Sequence, residues 1–138
     1  MKRYLAAFIS MAIVMIALDF IWLGTIAQPL YQQGVGHLMA AQPNLLYAGL
    51  FYLVYVLGLI IFTIAPFAFK KGLRRTAFRA MLFGFFVYAS YDLTNLALLK
   101  NWPLDLALID ISWGIFISCI SASVGKFVLD KLTKTRYF

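Results

Sequence analysis

Long apolar runs separated by short polar breaks make up this chain, and four of the runs are candidates for membrane-crossing helices. They cover roughly residues 4–27, 45–69, 80–99 and 103–125, each close to the about 20 residues a helix needs to cross a hydrocarbon core. Backbone groups in lipid must pair within their own segment, and the two-residue alternation of a barrel strand is missing, so the runs predict helices. The breaks are a polar segment of about 17 residues (28–44), a basic segment of about 10 (70–79) and the tight "KNWP" turn (100–103). The expectation is a single all-α membrane domain over 1–138, a polytopic antiparallel four-transmembrane-helix bundle. End signals agree: Asn44 suits a helix N-cap, Pro103 a first turn, and Asp105 a positive helix N-terminus. Trp102 and Lys100 suit an interfacial anchor, and Pro66 predicts a bend in the second helix.

Composition and charge sharpen this picture. The chain is 64% hydrophobic and 12% charged, where soluble domains run near half and a quarter. Its net charge of +7 raises nucleic acid as a partner, but the basic residues are segregated. Lys2 and Arg3, then Lys70, Lys71, Arg74, Arg75 and Arg79, then Lys126, Lys131, Lys134 and Arg136 leave only Lys100 on the opposite side. That is the positive-inside pattern, which puts both termini and the 70–79 segment in the cytoplasm. The partners expected are therefore the bilayer and its anionic head groups, with no nucleic acid. The first run carries Asp19 and is longer than a signal-peptide core, so it reads as a retained span. Cys119, the one cysteine, can form no internal disulfide.

The informative residues interrupt the apolar runs. Three of the five acidic residues, Asp19, Asp92 and Asp110, fall deep inside spans, beyond the first turn that holds Asp105, each at about 2.5–3.5 kcal/mol near a helix centre. Counted from the basic belts at 1.5 Å per residue, they sit about 24, 20 and 24 Å deep, one shared layer. No Lys, Arg or His falls within the four runs. Compensation must come from protonation, from Tyr and Asn hydrogen bonds, or from an outside cation. Helical spacing then predicts one pocket walled by Asp19 and Trp22, by Tyr55, by Tyr88, Tyr91, Asp92 and Asn95, and by Asp110 and Trp113. His37, in the 28–44 segment, reads as exposed. No zinc spacing, phosphate loop or nucleophile–base motif occurs, so neither a metal nor a cofactor is indicated.

The segments "YASYDLTNLALLKNWP" (88–103), "LIDISWG" (108–114) and "LDFIWLG" (18–24) resemble a family of small bacterial membrane proteins known only as a domain of unknown function. The resemblance extends over nearly the whole chain. It implies a four-span protein of the bacterial inner membrane, without an activity.

Three functions follow from the residues. The first is binding or transport of a proton, cation or small molecule at the aspartate–aromatic pocket, with a homo-oligomer expected because four helices leave little room for an alternating pathway. The second is a membrane-embedded enzyme acting on a lipid or isoprenoid through carboxylate acid–base chemistry. The third is an accessory or scaffold subunit whose aspartates join helices.

Overall fold

The computed structural model describes residues 1–70 and 72–134, the Lys134 side chain excepted. Lys71 and Arg136 of the basic clusters lie outside the described residues. Four helical runs are long and apolar enough to cross a membrane: Lys2–Leu38, Leu45–Phe67, Arg74–Leu98 and Leu104–Thr133. The first comprises α1 (Lys2–Ile21), a π-helical stretch (Trp22–Ala27), α2 (Gln28–Val35) and a closing 3₁₀ turn. The second is α3 (Leu45–Leu59), a π stretch (Ile60–Ile64) and a 3₁₀ turn (Ala65–Phe67); α4 is Arg74–Leu98 and α5 Leu104–Lys134. Short connections make neighbours antiparallel, so the start of α1, the end of α5 and the described residues between the second run and α4 share one end, the terminal end. Residues 39–44 and 99–103 share the far end.

The first helix differs from expectation. It continues through Pro29 to Val35, so most of the polar segment read as a loop is helix. Proline lacks the amide donor and its ring crowds the carbonyl four residues back. The chain absorbs both effects in the π stretch, which ends two residues before Pro29. Thr25 Oγ1 donates to the Ile21 carbonyl at 2.5 Å, pairing a carbonyl the distortion disturbs. The second run repeats the device: its π stretch ends two residues before Pro66, and Thr63 Oγ1 donates to the Leu59 carbonyl at 2.6 Å. Pro66 therefore tightens the helix into a 3₁₀ turn rather than only bending it.

Chain reversals follow local chemistry. Asn44 Oδ1 accepts from the Leu46 and Tyr47 amides at 3.1 and 3.4 Å, capping α3. Asn101 takes φ +60 in the α4–α5 turn, a left-handed conformation that asparagine tolerates better than most residues. Asp105 lies in the first turn of α5.

α4 and α5 form the most extensive helix contact, and their register is simple. Gly84 faces Ser118 and the Gly114 carbonyl, and Gly114 faces the Tyr88 ring. Going on by four residues on α4 and back by four on α5 pairs Asp92 with Asp110. Going the other way pairs Ala80 with Ala122 and Thr76 with Lys126, all four fully buried. Small residues in the middle bring the backbones close, as apolar surroundings favour. α1 packs on the other side of α5 with Ala7, Met11 and Met15 at strict four-residue spacing. Large apolar side chains such as Phe20, Val54, Phe86 and Leu93 cover the exterior, as a lipid-facing surface requires.

One charge expectation is corrected. The helix of the last run continues past Gly125, and Lys126 is fully buried within it. Its ammonium donates to the Lys70 carbonyl at 2.8 Å and pairs with Asp130, one turn on. The basic residue read as the end of the run is thus internal, because a carbonyl and a carboxylate at the terminal end satisfy its charge.

Candidate intramembrane polar site

Asp19 ends the buried stripe of α1 and is 7% exposed. Tyr52 O–H donates to its Oδ2 at 2.7 Å and Trp113 Nε1–H to its Oδ1 at 3.0 Å, so one carboxylate joins α1, α3 and α5. The π stretch that follows presents Trp22 flat against Trp113, with ring centroids 4.4 Å apart and planes 6° from parallel. Asp110, 4% exposed, accepts from Tyr31 O–H. That bond exists only because the first helix runs on through α2.

Asp92 is different. Its side chain is wholly buried, yet neither oxygen has a hydrogen-bond partner among the described residues. Asp110 is close enough to interact with it electrostatically, and the Trp102 indole N–H lies toward it without reaching hydrogen-bond geometry. Asn95 Nδ2, one turn nearer the far end, is also buried without a partner. Asp92 and Asp110 each lie six residues from the α4–α5 turn, about 9 Å inside it.

Tyr88 connects this pair to Asp19. Its ring lies over Gly114, where any Cβ would overlap it, and it is within electrostatic reach of Asp19, Asp110, Tyr52 and Tyr55. Tyr55 is edge-on to Tyr88 at 6.2 Å and shares a 2.6 Å hydrogen bond with Ser118. The three aspartates thus face the bundle interior as two carboxylate sites, Asp19 and the Asp92–Asp110 pair, with Tyr88 between them. Asn95, Tyr55, Trp22 and Trp113 also lie at or beside these sites.

Tyr91 does not join them. It is 56% exposed and meets only the edge of Trp102, at 6.2 Å. It precedes Asp92 by one residue, which turns it about 100° away on the helix. His37 is exposed. Four contributors escaped sequence reasoning: Tyr31, Tyr52, Ser118 and Trp102. Tyr31 had a signal, since Ala27, Tyr31 and Val35 keep the four-residue spacing of Ala7 to Asp19. Tyr52 lies three residues before Tyr55, a spacing that puts both on one side of α3 and could have flagged it.

Two depressions adjoin the site. One of about 420 Å³ is walled by Trp22, Trp113, Phe116, Leu108, Ile109 and Ser112. The other, about 260 Å³, lies at the far end between α2 and the start of α5. No group of three His, Cys, Asp or Glu among the described residues is placed to hold a metal ion.

A family model described as "Predicted membrane protein (DUF2177)" matches residues 4–127. The chain belongs to this family. The family has no assigned function, so membership conveys a membrane protein, and the four long apolar helices make it multi-pass. No curated protein matches the chain, and no solved structure does.

Proposed function

We propose that this protein binds and exchanges a proton or small cation at the Asp92–Asp110 pair. One observation carries the reading: a wholly buried carboxylate, toward which the Trp102 N–H is directed without reaching hydrogen-bond geometry, faces a second carboxylate across the α4–α5 contact. An ionised carboxylate buried without partners is costly, which favours a proton or a cation on Asp92. Asp19 has two neutral donors and needs neither, so it joins helices. Asn95 and Trp102, whose buried polar atoms are also unpartnered, stand between the pair and the far end as its entry. The excess of basic residues at the terminal end supports a bacterial inner-membrane protein with that end in the cytoplasm.

Potentiometric titration of the purified protein tests this reading. The wild type is expected to take up about one more proton per chain than Asp92→Asn over about pH 9 to 5. If a cation is the native occupant, adding it at millimolar concentration reduces that difference. Identical proton uptake by the two proteins, with and without added cations, contradicts the proposal.

A second reading has one observation in its favour. The groove of about 420 Å³ shares Trp113 with Asp19, which suits chemistry on a lipid chain lying in the groove. That reading predicts conversion of an added polyprenyl or diacyl lipid, lost in Asp19→Asn.

A further inference from the structure

We infer that the α4–α5 contact is a proton path through the bundle and that Tyr88 is its moving link. This rests on the reading of Asp92 given above and extends it from a binding site to a route.

Among the described residues, the unpartnered buried side-chain atoms are those of Thr76, Asp92, Asn95, Trp102 and Ser121. All belong to α4, α5 or the turn between them. Such atoms are rare in folded proteins and call for an explanation; here they line one seam. From Asp92 to Thr76 the seam runs 16 residues along α4, about 24 Å, most of a hydrocarbon core of about 30 Å.

The order of groups along it is that of a relay. Asp92 faces Asp110 at the far-end side. One turn inward stands Tyr88, which makes no hydrogen bond among the described residues although Asp110, Asp19, Tyr52 and Tyr55 all lie within electrostatic reach. Next comes the Tyr55–Ser118 pair, 2.6 Å apart, in which either oxygen can donate. Ser121 lies one turn farther along α5. The seam closes at Lys126, which pairs with Asp130, a side chain 25% exposed at the terminal end.

A hydroxyl passes a proton by donating its own while accepting another, so no phenol or alcohol is left charged. Tyr88 can turn its O–H toward Asp110 or toward Tyr55, and that rotation joins the carboxylate pair to the hydroxyl pair. The proton enters on Asp92 and leaves at the terminal end, where the Lys126 ammonium gives one proton to the Asp130 carboxylate and takes another from the seam, so Lys126 is charged before and after. Gly114 is part of the device, because a side chain there would occupy the space of the Tyr88 ring.

The test uses the full chain in sealed liposomes with a pH-sensitive dye inside and a potassium diffusion potential across the membrane. Wild-type vesicles are expected to admit protons. Tyr88→Phe, which keeps the ring over Gly114, and Ser118→Ala should each cut the rate at least tenfold. Both should keep the infrared carboxyl band of Asp92 and its titration, which a loss of the Asp92 site would not. A folded variant of either kind that conducts like the wild type overturns the path, and so does a wild type that admits no protons while its Asp92 band titrates. A wild type whose Asp92 band does not titrate overturns the underlying reading of Asp92, and the path with it. If Tyr88→Phe fails to fold, Ser118→Ala, on the other helix, decides.

Discussion

Gly84→Val is expected to destabilise the bundle severely. A Cβ at Gly84 would overlap the Gly114 carbonyl and come within 2.6 Å of Ser118 Oγ. The first of these is backbone, which no rotamer change can move aside, so α4 and α5 must separate along their whole seam. Overpacking at a side chain costs about 1–3 kcal/mol; against backbone, in the tightest helix pair of the molecule, the loss should exceed about 3 kcal/mol. That is a large share of the about 5–15 kcal/mol by which proteins are stable. Gly49→Ala is the control. Gly49 lies inside α3 with nothing within 4 Å of its would-be Cβ, so the change should leave stability equal or raise it by up to about 1 kcal/mol. Thermal unfolding in detergent, with a check for monodispersity, reads both. Equal stability of Gly84→Val and the wild type would show that the α4–α5 contact is not formed as described.

The aspartates should separate under a single conservative substitution. In Asp19→Asn the oxygen can keep the Trp113 N–H and the NH₂ can donate to the Tyr52 oxygen, but the Tyr52 O–H then loses its acceptor and both bonds lose their charge. The expected cost is about 1–3 kcal/mol, seen as a lower unfolding temperature. Asp92→Asn loses no hydrogen bond, because none is made, and it removes a charge from an apolar interior. Its stability should equal or exceed that of the wild type at pH 8. The opposite order, Asp92→Asn unstable and Asp19→Asn neutral, would exchange the roles assigned to the two residues.

How much of this was legible depended on the kind of signal. Four long apolar runs predicted four long apolar helices, because length and hydropathy are local properties of the sequence. Asn44 was legible as a cap for the same reason. The polar segment 28–44 looked like a loop, yet the π stretch and Thr25 let the helix pass through Pro29. With the helix ending at Ala27, Tyr31 could not be seen as a partner for Asp110. Lys126 was read as the edge of a span because its partners, the Lys70 carbonyl and Asp130, were out of view. The four-residue steps linking Gly84 to Ser118, Tyr88 to Gly114 and Asp92 to Asp110 were present in the sequence, but they pair only when the turn between the helices sets their register. That turn depends on Asn101 adopting a left-handed conformation, which no periodicity reveals.

The measurement closest to the central claim is pH-difference infrared spectroscopy of the purified protein in lipid, wild type against Asp92→Asn, over about pH 5 to 9. The account predicts a carboxyl band that gains and loses intensity across this range in the wild type and is absent in Asp92→Asn, while Asp19→Asn keeps it. A spectrum in which no carboxyl band titrates, or in which the titrating band survives Asp92→Asn, would contradict proton exchange at Asp92.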